Sequence, residues 1–92
     1  MSHKKKNEQL GMPFGTATNR LRKMVLFSLI QHTELENCYQ CKEKIETVQE
    51  LSMEHMIPWL NSSDPVGLFF DTDNIAFSHL SCNAKQSRGR FA

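Results

Sequence analysis

The chain has 92 residues, a net charge of +1, 39% hydrophobic residues and three cysteines. A single domain of this size buries only about 60% of its unfolded surface, so a covalent or metal staple is expected to help hold the fold. The three cysteines cannot all pair as disulfides and no apolar run near Met1 resembles a secretory signal, which argues against an oxidised extracellular miniprotein.

The hydropathy pattern and the cysteine usage favour a soluble protein in a reduced, cytoplasmic setting. The longest apolar stretch, residues 24–30, is far shorter than the roughly 18 residues that indicate a membrane helix. Thiols that stay reduced are typical of the cytosol. We therefore expect a cytoplasmic location and no membrane partner.

The near-neutral net charge conceals a strong segregation along the chain. Residues 1–23 carry six basic residues against one acidic residue, and residues 24–73 carry nine acidic residues against two basic ones. Residues 74–92 carry three basic residues and no acidic one. The two basic ends could grip a polyanion while acidic residues in the middle hold a metal ion. The alternative is that these charges simply lie on solvated faces.

The N-terminal third of the chain predicts a tail followed by a helix. Residues 1–12 are polar and basic, which is typical of a flexible tail, and residues 13–36 form a helical segment. Either Thr16 or Thr18 could provide the N-cap of a helix that extends to about His32. Apolar residues at helical spacing are expected to face the core: Leu21, Met24, Val25 and Leu29.

The remaining residues, 37–92, predict a small mixed domain. Two extended segments and one short helix are predicted, in the order residues 46–57, residues 74–77 and residues 80–88. Residues 61–67 are rich in turn-forming residues and predict a surface loop. The large aromatic residues are expected to form core rather than a base-stacking surface: Trp59, Phe69, Phe70 and Phe77.

Two pairs of potential metal ligands share the same two-residue gap. The first pair is Cys38 and Cys41, and the second is His79 and Cys82. Such a gap lets both side chains of a pair reach one ion, and thiolates with an imidazole bind Zn²⁺ tetrahedrally. One pair alone could equally be a redox dithiol. The second pair favours a closed, structural zinc site.

Four short motifs resemble the signature of one nuclease family. They are Glu54-His55, Ile57-Pro58, Asp73-Asn74-Ile75 and Cys82-Asn83-Ala84-Lys85. Together with the two ligand pairs they resemble the HNH endonuclease family over about residues 37–88, in particular its small, stand-alone, phage-type members. The resemblance implies an α+β fold: a zinc-stabilised ββα-metal (HNH, or His-Me finger) domain, here with an N-terminal helix before it.

The resemblance also implies roles for individual residues. His55 matches the general base, Glu54 the acidic ligand of a catalytic Mg²⁺ or Mn²⁺, and Asn83 the second protein ligand of that cation. Asn74 matches the asparagine whose amide ties the loop of the hairpin and holds the base in position. At His79 the family more commonly has cysteine, which leaves two alternatives: a zinc ligand, favoured by the spacing, or a displaced catalytic histidine.

The same residues suit phosphodiester hydrolysis on chemical grounds. An imidazole with an ordinary pKa of about 6.5 can accept a proton from water near neutral pH. A carboxylate and an amide oxygen offer hard ligands to Mg²⁺ or Mn²⁺. Adjacent residues of a regular strand point to opposite faces, so we predict a bulge or loop where Glu54 precedes His55.

These observations predict a metal-dependent DNA endonuclease that nicks duplex DNA with low sequence specificity. The basic residues expected to contact DNA phosphates are Arg20, Lys23, Lys85, Arg88 and Arg90. Two alternatives remain: a non-catalytic zinc module that binds DNA or protein, and a nuclease subunit that is active only within a larger phage packaging or recombination assembly. If the protein is encoded by a phage, its location is the cytoplasm of the bacterial host.

Overall fold

The computed structural model describes the backbone of residues 3–91 and the side chains of residues 3–85. Helices α1 to α4 comprise His3–Leu10, Phe14–Ile30, Pro65–Phe70 and Leu80–Phe91. Strands β1 and β2 comprise Leu51–His55 and Ile75–His79. Short 3₁₀ turns lie at Glu34–Glu36, Val48–Glu50 and Thr72–Asn74. The expected α+β architecture is confirmed, and no helix in the described part of the chain is long and apolar enough to cross a membrane.

The segment predicted as a flexible tail forms helix α1 instead. Its Lys, Gln and Glu residues have good helix propensity, and the helix packs on the start of α2. The backbone N–H of Phe14 donates to Asn7 Oδ1 at 2.7 Å, and the Lys6 ammonium lies 4.2 Å from the centre of the Phe14 ring. Gly11, at φ 70°, follows α1 in the left-handed conformation that glycine adopts without steric cost.

Helix α2 confirms the helix predicted for the N-terminal third, with different ends. It begins at Phe14 with Pro13 as its N-cap residue and ends at Ile30. Neither predicted threonine caps it, because both lie inside the helix. The hydroxyl of Thr18 donates to the carbonyl of Gly15 at 2.9 Å.

The face of α2 that the apolar spacing predicts as core is exposed. The residues on this face, here called the outer stripe, keep 50–71% of their surface accessible: Leu21, Met24, Val25 and Leu29. The core instead receives Leu26, Phe27 and Ile30 from the opposite side of the helix. Helix α2 therefore carries apolar residues on two faces, and periodicity alone does not say which of the two meets the domain.

Strands β1 and β2 form an antiparallel hairpin in one-to-one register. Leu51 pairs with His79, and the pairing continues residue by residue to His55 with Ile75. A bulge would leave one residue of a strand without its own partner. The predicted bulge or loop before His55 is therefore wrong. Glu54 and His55 lie on a regular strand and point to opposite faces of the hairpin.

A small core lies between α2, the hairpin and the first pair of potential metal ligands. Its buried members are Ile30, Cys38, Ile45 and Leu51. Phe77 and Cys82 pack against them, so the expectation that Phe77 lies in the core holds. Because two of the predicted metal ligands belong to this cluster, a bound ion and the apolar contacts would stabilise the same small region.

A short helix, α3, occupies part of the predicted surface loop. Asp64 caps it by accepting a hydrogen bond from the N–H of Gly67 at 3.1 Å, and Pro65 occupies the first turn. Phe69 and Phe70 keep 41% and 74% of their surface exposed, so the expectation that these two rings lie in the core is wrong. A helix of six residues is too short for apolar periodicity to reveal it.

Candidate metal and catalytic centre

The two predicted ligand pairs meet in space. The donor atoms of Cys38, Cys41, His79 and Cys82 all lie within 4.8 Å of one another. His79 Nδ1 is 3.3 Å from Cys41 Sγ and 3.9 Å from Cys82 Sγ. The first pair comes from a tight turn, whereas His79 ends β2 and Cys82 lies in the first turn of α4. The four side chains are positioned to bind a metal ion.

The hydrogen bond of the His79 ring identifies the nitrogen that is free to bind the ion. His79 Nε2 lies 3.2 Å from the carbonyl oxygen of Lys44. A carbonyl oxygen can only accept, so Nε2 carries the proton and Nδ1 keeps its lone pair. Nδ1 is the nitrogen that faces the thiols. This arrangement favours the zinc-ligand alternative for His79, because metal-bound histidines commonly donate their second nitrogen to a carbonyl.

The pKa values of the ligand side chains favour the binding of a cation by the cluster. Burial raises the pKa of the Cys38 thiol, but the backbone N–H groups of Cys41, His79 and Gln40 outweigh that effect and lower the pKa to about 6. Burial lowers the pKa of His79, yet its hydrogen bond with Cys38 raises the pKa above the ordinary value. Burial and the neighbouring thiols raise the pKa of Cys82 to about 11. The lowered pKa of Cys38 therefore favours its thiolate form near neutral pH before any ion binds.

The donor set fits zinc. With Zn–S bonds of about 2.3 Å and tetrahedral angles, sulfur ligands lie roughly 3.8 Å apart, which is compatible with donor atoms that all lie within 4.8 Å of one another. Three sulfur donors and one imidazole are a common structural zinc set, without an open position for a substrate. Zinc bound here would be held by Cys38, Cys41, His79 and Cys82 and would supply folding free energy rather than chemistry.

His55, the candidate base, ends strand β1. Its Nε2 lies 2.9 Å from the carbonyl oxygen of Phe69, so Nε2 donates the hydrogen bond and Nδ1 keeps its lone pair. The imidazole ring also lies 5.0 Å from the ring of Phe69 and 6.4 Å from that of Trp59, measured between centroids. The side chain is half-buried, and because Nε2 donates to Phe69, Nδ1 is the nitrogen that can accept a proton.

Asn74 braces the loop that follows β1. Its Oδ1 accepts from the N–H of Ile57 at 2.7 Å, and its Nδ2 donates to the carbonyls of Ile57 and Leu68 at 3.0 and 3.2 Å. The side chain is only 4% exposed, so these three bonds are made away from water. The amide thus joins the end of β1 to the start of β2 and to α3, which is the geometry that the family resemblance implies.

Glu54 lies on the interior face of the hairpin, with only 6% of its surface exposed. One carboxylate oxygen accepts from Gln40 Nε2 and the other from Ser78 Oγ, both at 2.5 Å. Sequence reasoning missed both partners. Gln40 lies inside the first ligand pair, where only the two cysteines stand out, and Ser78 is revealed only by its strand register. The Gln40 bond connects the metal cluster directly to the candidate catalytic strand.

Asn83 docks against β1 from helix α4. Its Nδ2 donates to Ser52 Oγ and to the carbonyl oxygen of Met53, each at 3.1 Å. Because a carbonyl can only accept, the orientation of the amide is defined, and Oδ1 accepts no hydrogen bond within residues 3–85. No hydrogen bond joins Glu54, His55 and Asn83 to one another within residues 3–85. Strand β1 connects them, since Asn83 binds the carbonyl of the residue that precedes Glu54.

The basic residues predicted to contact DNA are distributed over two helices. Lys85 is exposed on α4, and the side chains of Arg88 and Arg90 lie outside the described residues. On α2, Lys23 Nζ donates to the carbonyl of Gln49 at 3.4 Å. Arg20 and Lys23 line a cavity of about 280 Å³.

A larger cleft between α2 and β1 reveals a basic residue that sequence reasoning missed. Its volume is about 490 Å³. Arg22 and Lys23 form part of one wall, and Ser52 and Met53, the two residues that bind Asn83, form part of the other. The helical spacing of the basic residues on α2 was the available signal for Arg22.

Comparison with known proteins places these features in a family. The family model described as HNH endonuclease matches residues 38–89. No curated protein and no solved structure matches the chain. The family match covers more than half of the 92 residues and includes the four clustered metal ligands together with the strand that carries His55. The chain belongs to the HNH endonuclease family.

Proposed function

We propose that the protein is a divalent-cation-dependent endonuclease that nicks duplex DNA by hydrolysing phosphodiester bonds. Membership of the family implies nuclease chemistry on DNA. The observation that carries the proposal is the state of His55: its Nε2–H is held by the carbonyl of Phe69, which leaves Nδ1 as an oriented base. Products with 5′-phosphate and 3′-hydroxyl ends are expected from the family resemblance.

In this proposal His55 Nδ1 accepts a proton from the water molecule that attacks the phosphorus atom. Histidine is the side chain that most often serves as a general base in such a transfer. Asn74 is a positioning residue, because its three hydrogen bonds hold the segments on either side of the base. A displacement of the ring by about 1 Å can cost on the order of 100-fold in rate, so this bracing matters.

Glu54 and Asn83 are the residues that would hold the catalytic Mg²⁺ or Mn²⁺. When bound, such a cation supplies Lewis-acid stabilisation of charge on the phosphoryl group and the leaving oxygen. The donor chemistry fits a hard ion: among the described side chains each Glu54 oxygen accepts one hydrogen bond and keeps a further lone pair, and Asn83 Oδ1 accepts none.

The basic cleft between α2 and β1 supports DNA as the substrate. Arg22 lies across this cleft from Ser52 and Met53, the partners of Asn83. A phosphate held by Arg22 would therefore lie on the same side of β1 as one of the proposed cation ligands. Contacts of this kind give salt-dependent affinity that does not depend on base sequence.

A plasmid-nicking assay with a series of divalent cations and a chelator control tests the proposal. His55→Ala should abolish nicking while zinc content and melting temperature stay near those of the wild type. The matched control is His32→Asn, an exposed histidine at φ 64° where asparagine tolerates the left-handed backbone. Undiminished nicking by His55→Ala would refute the role assigned to this residue.

A second candidate is a nuclease subunit that works within a larger assembly. The outer stripe of α2 favours it, because four large apolar residues lie exposed on one helix face. This helix lies outside the matched residues 38–89. The wild-type protein would then nick DNA only in the presence of its partner, and His55→Ala would remove that activity.

A further inference from the structure

We infer that Trp59, Phe69 and Phe70, here called the aromatic platform, stack on an unpaired nucleobase beside the phosphate that is cleaved at His55. The inference rests on the proposed nuclease function, and it adds the class of substrate. A nucleobase that can reach a protein ring must be out of the helical stack. The preferred cleavage site in a duplex would therefore be frayed, bulged or otherwise unpaired next to the cut.

The three rings of the platform are in contact through Phe69, and two of them, Phe69 and Phe70, are exposed. The centroid of Phe69 is 5.1 Å from Trp59 and 4.9 Å from Phe70, in both cases edge to face. Phe70 is 74% exposed and the neighbouring Val66 70% exposed. A cluster of large apolar side chains left in solvent is typical of a binding surface.

The platform is held in place before any ligand binds. Helix α3 carries Phe69 and Phe70, and the Asp64 cap with Pro65 in the first turn fixes its start. Together with Trp59, Val66 and Pro65, the two phenylalanines line a cavity of about 240 Å³. This shallow, purely apolar surface suits one flat group rather than an extended chain.

The position of the platform connects it to the cleavage site. Phe69 contacts His55 twice, through its carbonyl oxygen and through its ring at 5.0 Å. A DNA strand whose phosphate meets Nδ1 of His55 must carry its next nucleotide past one side of this ring. The same helix therefore orients the base that accepts the proton and presents the surface for the adjacent nucleotide.

The charges around the platform favour contact with a nucleobase over contact with the phosphate backbone. Asp64, Asp71 and Asp73 flank α3, and residues 45–84 contain no lysine or arginine. An acidic rim repels phosphates, so DNA can contact this surface only through an uncharged group. Stacking on aromatic side chains is the sequence-tolerant way to do so, since every base has a π face.

The experiment uses Trp59, the only tryptophan of the chain, as a fluorescent reporter within the platform. The zinc-loaded protein is titrated, without Mg²⁺ or Mn²⁺, with a single-stranded oligothymidine and with an abasic oligonucleotide of equal length and charge. Stacking predicts strong quenching of Trp59 by the first and little by the second. Phe70→Ala should weaken binding of the oligothymidine by about 5- to 100-fold.

Leu29→Ala is the matched control, because Leu29 is an equally exposed apolar residue on the outer stripe, and it should bind as the wild type does. Equal quenching by the abasic oligonucleotide, or unchanged binding of the oligothymidine by Phe70→Ala, would overturn the inference. Binding of a basic peptide by a protein that does not bind the oligothymidine would overturn it as well. The plasmid-nicking assay is read separately. If the wild type stacks bases but never nicks, the proposed function fails and the binding surface stands.

Discussion

His55 Nε2 lies 2.9 Å from the carbonyl oxygen of Phe69, a residue that follows it by 14 positions in the chain. The bond assigns the proton to Nε2 and the lone pair to Nδ1. It also makes the orientation of the candidate base depend on α3, the helix that apolar spacing did not predict. Changes in α3 should therefore alter catalysis without touching the metal cluster.

Asp64→Ala tests this dependence. The variant removes the side-chain oxygen that caps α3 at the N–H of Gly67, which should cost about 1 kcal/mol of local stability. We expect a lower nicking rate with unchanged zinc content, measured by plasmid nicking and elemental analysis. Asp73→Ala is the control, since it removes the same charge nearby and Asp73 does not cap α3. Equal losses in the two variants would attribute the effect to charge alone.

Asn74 should be required for stability as well as for positioning. Asn74→Ala leaves the N–H of Ile57 and the carbonyls of Ile57 and Leu68 without their partner in a buried site, at a cost of about 1–3 kcal/mol. Urea unfolding measures this loss. Asn19→Ala, at an exposed position on α2, is the comparison. If both variants unfold at the same urea concentration, the brace contributes nothing.

Loss of the metal should unfold the domain. Cys41 is exposed and does not belong to the buried core cluster. Cys41→Ser nevertheless removes a thiolate ligand, so the folding free energy supplied by a structural ion would be lost. We expect the variant to lose zinc and most of its helical circular dichroism together. A folded, metal-free Cys41→Ser protein would show that the four donors do not staple the fold.

The pKa values of the cluster predict how metal retention depends on pH. Cys82, with a pKa of about 11, must release a proton when the ion binds near neutral pH, whereas Cys38, with a pKa of about 6, already carries a thiolate. Affinity for zinc should therefore fall as the pH falls, and most steeply below about pH 6, where protons also occupy Cys38. Competition with a chromophoric chelator across this range measures the effect, and pH-independent retention would contradict it.

The pKa values of Cys38 and His79 also give the direction in which pH changes the free energy of unfolding of the metal-free protein. The folded pKa of Cys38 lies below its ordinary value of 9.0, so the unfolded chain binds more protons between the two values. The contribution of this thiolate rises with pH over that range and is absent below about pH 6. The raised pKa of His79 acts in the opposite direction: its contribution is complete below 6.5 and is lost as the pH rises through the folded value.

Two neighbouring residues of α2 test which of its faces meets the core. Ile30 is 4% exposed and Leu29 is 71% exposed. Ile30→Ala should cost about 2–5 kcal/mol through lost burial and the cavity it leaves. Leu29→Ala should change stability by less than about 0.5 kcal/mol. Chemical denaturation of the two variants measures the difference. A larger loss of stability for Leu29→Ala than for Ile30→Ala would indicate that the outer stripe, and not Ile30, packs in the core.

The metal cluster was the part of the molecule most accessible to sequence reasoning. Two ligand pairs with the same internal gap can converge on one ion whatever the intervening chain does, so the pattern itself carries the geometry. The strand around Glu54 and His55 was predicted for a similar reason, because motif order and strand boundaries are local. The regular register was not predicted, since we expected both side chains to serve one site and inferred a bend between them.

The exposure of apolar residues could not be read from the sequence. Leu29 and Ile30 are both apolar and adjacent, and only the packing of α2 against Cys38 and Leu51 decides which is buried. Phe69 and Phe70 present the same problem. Their burial was inferred from hydrophobicity, whereas a capped helix of six residues holds them at the surface. Burial is a property of the whole fold, and residue type gives only a preference.

The residues at the two ends of strand β2 belong to two different sites. Asn74, which precedes the strand, ties the loop beside the candidate base, and His79, which ends it, belongs to the sulfur cluster. Adding or deleting a single residue between them would turn one of the two side chains to the wrong face. Related chains should therefore tolerate changes in the length of the loop of residues 60–63, before the cap of α3, whereas the five-residue spacing from Asn74 to His79 should be invariant among them.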